Sequence, residues 1–313
     1  MSNQFAEDIL KGLTSQPKYL DSKYFYNKQG DQLFQKIMQL PAYYLTDSEF
    51  EIFSFQKDKI LQYFQSGTEQ FNLIEFGAGD GFKTKVLLSY FLEQKSSFHY
   101  SPIDISQNAL DNLTSDLLKQ FPELRITGIR NDYFHALEKL NQHQQERNVI
   151  LFLGSNIGNF KKDGASDFLK ALRKYLKEGD ILLIGFDLKK NPDTILQAYN
   201  DSSGVTKAFN LNLLQRINDE LDANFDLTTF KHYPTYNPDT GETRSYLIST
   251  QKQNIELLDT TIEFEAWEPI YMELSKKFDQ AEIYDLAQQS GFQVIENLFD
   301  CKHYFTDSLW QAV

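Results

Sequence analysis

The stretch Leu73-Ile74-Glu75-Phe76-Gly77-Ala78-Gly79-Asp80-Gly81 decides how the rest of the chain is read. An apolar run delivers the backbone into a glycine turn, and a helical pattern carrying Leu87, Leu88, Phe91 and Leu92 follows at once. Glycines let a chain turn sharply and approach a ligand where a Cβ would collide. A strand–turn–helix of this kind opens a parallel α/β sheet. It is weak evidence taken alone, because many strand–helix joints use glycine for packing.

The pattern repeats outward from that turn. Phe71–Phe76, His99–Asp104, Arg125–Arg130, Val149–Gly154 and Ile181–Phe186 read as buried strands. Helices lie between them. One starts at the N-cap Ser106 with Leu110, Leu113 and Leu117 on one face, and another runs from Asp163 through Leu176 to Gly179 as C′ residue. This alternation predicts a Rossmann-like parallel sheet covered on both faces. A helix near Asp279–Ser290 and two closely spaced strands, Phe292–Phe299 and His303–Val313, add an antiparallel C-terminal edge.

Two segments break the alternation. Residues 1–48 hold a small helix (Phe5, Ile9, Leu10, Leu13) and a second one (Leu33, Phe34, Ile37, Met38). Thr46-x-x-Glu49 reads as a capping box opening a long helix toward Phe64. Residues 189–277 begin with the cap Asn191-Pro192 and contain a helix with Phe209, Leu213, Leu214, Ile217 and Leu221. The expectation is a sheet domain of 49–188 and 278–313, and a substrate-binding domain of 1–48 and 189–277 over the ligand-binding edge of the sheet.

Composition narrows the partners. The 313 residues carry a net charge of −13, from 44 acidic and 31 basic side chains, which repels phosphate backbones and argues against nucleic acid. Cys301 is the only cysteine, so an internal disulfide and a cysteine-rich metal site are excluded. His99, His135, His143, His232 and His303 show no ligand spacing, and no metal is expected. No apolar run approaches the ~20 residues that cross a bilayer, and the N-terminus lacks the marks of a secretion signal. A cytoplasmic monomer acting on a small molecule is the expectation.

At the carboxyl ends of the strands the chemistry is more specific. Phe82 stands where a dinucleotide fingerprint places its third glycine, which argues against close approach to a pyrophosphate and against a nicotinamide-dependent oxidoreductase. Asp104 ends the second strand, where a carboxylate can accept both ribose hydroxyls. Asp132 and Tyr133 end the third, where they can meet an adenine amino group and ring. Singly, Asp104 could be a helix cap and Asp132 a turn residue; together they describe a nucleoside site. A cofactor without phosphates suits this acidic chain, and the cationic sulfonium of S-adenosylmethionine suits it better.

Five irregular strings carry a resemblance: Phe25-Tyr26-Asn27-x-x-Gly30; Leu40-Pro41-x-Tyr43-Tyr44-x-Thr46; Leu153-Gly154-Ser155-x-Ile157-Gly158-Asn159; Ala198-Tyr199-x-Asp201-x-x-Gly204-Val205-Thr206; and Glu273-x-Ser275-x-Lys277-Phe278. The chain resembles the histidine-specific Nα-methyltransferases of ergothioneine biosynthesis over nearly its whole length. The resemblance implies a class I methyltransferase fold and S-adenosylmethionine-dependent methylation of the α-amino group of histidine. It implies cofactor contacts at Gly77, Gly79, Lys83, Asp104, Asp132 and Tyr133. Asn159 and Tyr199 would hold the amino and carboxylate ends of the substrate, with Gly154 in the same motif. Asn159, Tyr26 and Tyr43 would lie nearest the reacting amine. Tyr26 and Phe34 would line the cavity, and Glu273 and Ser275 would read the imidazole.

The residues support the last point independently. Glu273 and Ser275 are two apart and share a face of an extended segment. A carboxylate and a hydroxyl side by side can pin both nitrogens of an imidazole. The bland alternative is a solvated pair on an edge strand. Two departures from the family stand out: Asp80-Gly81 replaces a small-polar pair, and Ser245 stands where relatives carry a larger apolar residue, which predicts a roomier or wetter pocket. The competing readings are a same-fold N-methyltransferase for tryptophan or an indole derivative, and a non-catalytic binding module.

Overall fold

In the computed structural model, which describes residues 3–131, 133–141, 146–161 and 163–313, the glycine turn sits at the end of a strand that is paired on both sides. That strand, β1 (Gln70–Phe76), pairs in parallel with β2 (Ser97–Asp104) on one side and β4 (Arg147–Phe152) on the other. With β3 (Ile129–Arg130), β5 (Ile181–Asp187), β11 (Phe292–Phe299) and β12 (Phe305–Ala312), the sheet order is β11-β12-β5-β4-β1-β2-β3. The last two strands are antiparallel, β12 to β5 and β11 to β12. Strand order reverses at β1, so ligand-binding residues are expected beyond the carboxyl ends of β1 and its neighbours.

The chain divides into two units, Met1–Tyr44 with Lys189–Lys277 and Leu45–Leu188 with Phe278–Val313. The second unit contains the seven-stranded sheet. Every residue of β5 is buried, as expected of a strand covered on both faces. Its core joins Ile74, Phe76, Ile150, Phe152, Leu182, Ile184, Phe186 and Trp310 from four strands. Three local expectations need correction here. The third strand shortens to Ile129–Arg130, with Ile126 keeping only an isolated bridge to Tyr100. The helix α7 (Gly164–Arg173) stops well before Gly179, whose φ of +87° turns the chain into β5 instead. The helix α3 spans Tyr44–Phe64, so Thr46 is already inside its first turn and is no cap. The carboxylate of Glu49 binds Lys83 and the Gly154 N–H.

The first unit is more than the helical insertion that its sequence suggests. Beside α1 (Asn3–Thr14), α2 (Lys28–Met38), α8 (Pro192–Tyr199) and α9 (Val205–Leu221) lies a three-stranded antiparallel sheet. Its strands are β6 (Phe230–Asn237), β7 (Glu242–Ser249) and β10 (Pro269–Lys276), in the order β10-β7-β6. A separate hairpin joins β8 (Gln253–Leu257) to β9 (Thr260–Phe264). The N-terminal segment belongs to this unit physically. The Leu20 N–H donates to the Tyr271 carbonyl (2.9 Å) and the Tyr271 N–H to that of Lys18 (3.0 Å), extending the sheet beyond β10. Its motif Phe25-Tyr26-Asn27-x-x-Gly30 has a local cause. The Asn27 side chain caps α2 by accepting from the Gly30 N–H (2.8 Å), and a Cβ at Gly30 would lie 1.8 Å from the Phe25 carbonyl oxygen. Among the described residues no helix is long and apolar enough to cross a membrane.

Candidate active site

The expected site residues fall into two sets, one in each unit. In the sheet unit the parallel register aligns Phe76 with Ile103 and Ile103 with Ile129, and the Gly77 N–H donates to the Ile103 carbonyl (2.9 Å). Gly77, Asp104 and the start of α6 (Tyr133–Asn141) are thereby brought to one end of the sheet. Gly77, Gly79 and Gly81 all have positive φ, the left-handed region that side chains disfavour. The turn is open at Gly79, where a Cβ would meet nothing within 4 Å. At Gly81 a Cβ would press on Leu113 at 2.7 Å, so that glycine serves packing.

The Asp104 carboxylate uses Oδ1 to accept the Ser106 N–H (2.8 Å), shaping the entry to α5 (Gln107–Gln120). The Tyr133 ring stacks on Phe76 with centroids 4.4 Å apart and planes 5° from parallel. Its hydroxyl is pushed upward in pKa by burial and then by the Asp104 charge. Asp132 and His143 lie outside the described residues. A carboxylate, an aromatic face and an open glycine turn fit a nucleoside.

Lys83, at the start of α4 (Thr84–Glu93), is paired with the buried Glu49. Burial opposes its charge, but Glu49 outweighs that and raises its pKa. Glu49 also accepts the Gly154 N–H (2.8 Å to Oε1). It packs over Gly185, where a Cβ would meet its Oε1 at 2.4 Å. Burial, then the Glu49 charge, hold the Asp307 carboxyl well above the usual range. Sequence reasoning missed this network and Glu75, a buried carboxyl on β1 accepting from Thr84 (2.7 Å) and Tyr100 (2.5 Å). Burial pushes Glu75 up to about 7, against the pull of those two hydroxyls. After Gly154, Ser155 takes a left-handed φ of +58° and accepts the Asp187 N–H (3.0 Å). The following turn, Asn156–Asn159, leaves the Asn159 side chain exposed.

In the first unit, β10 carries the polar residues. Glu273 pairs with Ser245 and Ser275 with Thr243 across β7, so these four side chains share one face. The Thr243 hydroxyl is buried with no hydrogen-bond partner among the described residues. Glu273 is half-buried, and desolvation pushes its carboxyl up to about 7 while Lys277 pulls it down. Ser275 is bonded to Tyr199, whose hydroxyl lies 2.8 Å away at the end of α8. The buried Lys277 donates to both, at 2.7 Å to Tyr199 and 2.9 Å to Ser275. Tyr26, Phe34 and Tyr43 form an aromatic wall with Phe209 of α9. The Tyr26–Phe34 centroids are 5.6 Å apart, Tyr26–Phe209 5.8 Å and Phe34–Tyr43 6.3 Å. Tyr26 leaves 47% of its surface exposed. Phe209 reads as plain helix core in the sequence; its contact with Tyr26 is a tertiary fact.

The sheet order, its antiparallel edge and the open glycine turn define a class I, S-adenosylmethionine-dependent methyltransferase. The chain belongs to the family described as histidine-specific, S-adenosylmethionine-dependent methyltransferases, whose model matches residues 5–312. It is 32% identical to the histidine N-alpha-methyltransferase of Mycolicibacterium smegmatis over 302 residues, 96% of this chain and 90% of that protein. To the protein of the same name in Mycobacterium tuberculosis it is 33% identical over 273 residues, 87% of this chain and 83% of the other. It is also similar, at 26% identity over 308 residues, to an L-tryptophan methyltransferase of Psilocybe serbica, covering 90% of this chain and 86% of that one.

Proposed function

We propose that this chain methylates the α-amino nitrogen of free L-histidine, carrying it to Nα,Nα,Nα-trimethylhistidine. The observation that carries the choice of amino acid is the pair Glu273 and Ser275, a desolvated carboxyl and a hydroxyl side by side on β10. A site built around such groups rejects side chains that leave them unpaired.

Gly77, Gly79, Lys83, Asp104 and Tyr133 would hold S-adenosylmethionine, with Asp132 assigned on sequence. When bound, that cofactor supplies an electrophilic methyl on a sulfonium, a leaving group that needs no further activation. What the chain must provide is alignment and a neutral amine. Amino groups are mostly protonated near neutral pH, so a proton has to leave before each transfer. By the resemblance, Asn159 and Tyr199 would orient the amino and carboxylate ends of the substrate, with Gly154 in the same motif as Asn159. Tyr26 and Tyr43 flank the amine, and Phe34 closes the aromatic wall. Ring faces favour the cation that grows more apolar with each added methyl. The same reading makes the enzyme a cytoplasmic monomer acting without nucleic acid, membrane or metal; the net charge of −13 supports the exclusion of nucleic acid.

A second reading, an aromatic amino acid such as tryptophan, is favoured by one observation: the small Ser245 stands directly opposite Glu273. Incubating the full chain with S-adenosylmethionine and each common amino acid, and following product mass, separates the two. Histidine alone should gain one, two and then three methyl groups; preference for tryptophan would overturn the first reading.

A further inference from the structure

We propose that Asp307 is a positioning residue for the cofactor: its protonated carboxyl donates a hydrogen bond to Glu49, leaving a single negative charge to hold Lys83 and the Gly154 turn. This deepens the functional reading above and rests on it. Glu49, Lys83, Gly154, Gly185 and Asp307 all belong to the sheet unit. Neither the expected cofactor contacts nor the substrate motifs include Glu49 or Asp307.

Asp307 stands directly opposite Gly185, where β12 runs antiparallel to β5. In such a pair the facing Cβ atoms are about 5 Å apart. Gly185 has no Cβ, and the space that one would fill is taken by Glu49, whose Oε1 lies 2.4 Å from that point. The Glu49 carboxylate is thereby set against the Asp307 side chain, and both residues are completely buried. Glu49 pairs with Lys83 and accepts the Gly154 N–H at 2.8 and 3.1 Å. Asp307 differs: neither of its buried oxygens has a hydrogen-bond donor among the described residues.

A buried carboxylate that lacks a donor and faces a second carboxylate is strongly disfavoured. One proton on Asp307 removes the repulsion and supplies a hydrogen bond, which ionised Glu49, having acceptors only, can take. Burial and then the Glu49 charge favour that proton, and Lys83 opposes it. The other charged groups acting on this cluster are Lys83, at the start of α4, and Glu75 of β1. Asp187, two residues beyond Gly185, is buried on the same face of β5. Of the residues expected at the cofactor, Lys83 is the one cation, and the carboxylate is the one anion of S-adenosylmethionine. That carboxylate has to share the ammonium with Glu49. A hydrogen bond from Asp307 draws on the Glu49 charge and loosens its hold on Lys83, whereas a second ionised acid would repel the incoming anion.

The test compares S-adenosylhomocysteine with methylthioadenosine, which keeps the nucleoside and sulfur but lacks the carboxylate, as ligands of the full chain in titration calorimetry. Their ratio of dissociation constants reads the amino-acid end of the cofactor alone. Asp307→Ala should cut the preference for S-adenosylhomocysteine about tenfold. Asp307→Asn, which still offers a neutral donor, should restore the parental ratio. Infrared spectra add a sign that a packing role would not give: the C=O stretch of an unionised carboxylic acid, present in the parent, lost in Asp307→Asn and kept in Glu75→Gln. An Asp307→Asn protein as impaired as Asp307→Ala, an Asp307→Ala protein with the parental ratio, or spectra without that band would each overturn the proposal. Should Asp307→Ala not fold, Asp307→Leu is judged by the same ratio, and failure of both to fold assigns Asp307 to stability alone and overturns the positioning role. A parent that does not bind S-adenosylhomocysteine contradicts the functional reading instead.

Discussion

Glu273 faces Ser245 directly across β10 and β7, and an irregularity between Tyr271 and Glu273 is what puts it there. Tyr271 pairs with Tyr246 and Glu273 with Ser245, so Met272 is an extra residue in β10. A bulge of this kind flips the parity of all that follows. In an unbroken strand Met272 would stand opposite Ser245, and Glu273 would face Arg244 on the other side. The bulge therefore brings Glu273 and Ser275 onto the face that also carries Ile270, Leu247 and Ser245.

Removing that carboxylate should change selectivity more than anything else. Glu273→Ala is expected to lower kcat/KM for histidine roughly 10- to 150-fold, the range for losing a charge-assisted hydrogen bond. It should narrow the gap to tryptophan and phenylalanine, because an apolar ring no longer strands a buried charge. Ser275→Ala should act in the same direction and more weakly. Steady-state kinetics on the three amino acids check this; parental selectivity in Glu273→Ala would place recognition elsewhere.

On the cofactor side, Asp104→Ala should weaken S-adenosylhomocysteine binding by roughly 1.5–3 kcal/mol for each charged hydrogen bond lost. Titration calorimetry measures it. Unchanged affinity would mean that Asp104 only shapes the turn into α5 through its bond to Ser106.

Glu75 makes a prediction about pH. Its folded pKa of about 7 lies above the ordinary 4.5, so between those values the folded protein holds a proton that the unfolded chain has released. Stability is therefore unaffected by this group below 4.5, falls as pH rises toward 7, and stays lowered above it, by of order 3 kcal/mol in all. Glu75→Gln keeps an acceptor for Tyr100 and Thr84 without the charge. Its Tm relative to the parent should rise from pH 5 to pH 8. A difference independent of pH would contradict the assignment.

The parallel sheet was legible because β1, β4 and β5 are short apolar runs beside turn signals, and burial on both faces leaves just that trace. The three-stranded sheet of the first unit was not read, although Glu242–Ser249 alternates buried and less buried residues as a one-sided strand does. Thr46-x-x-Glu49 misled because it has the spacing of a capping box, while the carboxylate serves Lys83 and Gly154 from across the fold. Glu273 and Ser275 were placed on one face from their spacing alone, but the bulge that selects the face leaves no mark in composition. Lys277 was visible only as part of a string; its contacts with Tyr199, 78 residues away, arise from folding.

The most direct measurement offers the full chain an equimolar mixture of histidine, tryptophan and phenylalanine, each labelled with 15N at the α-amino nitrogen, together with methyl-13C S-adenosylmethionine. Nuclear magnetic resonance then reports which nitrogen carries the labelled methyls. The account predicts 13C–15N coupling on the α nitrogen of histidine, ending in a trimethylated ammonium, while the other two amino acids remain unmodified. Methyls on an imidazole nitrogen, or first on tryptophan, would contradict it.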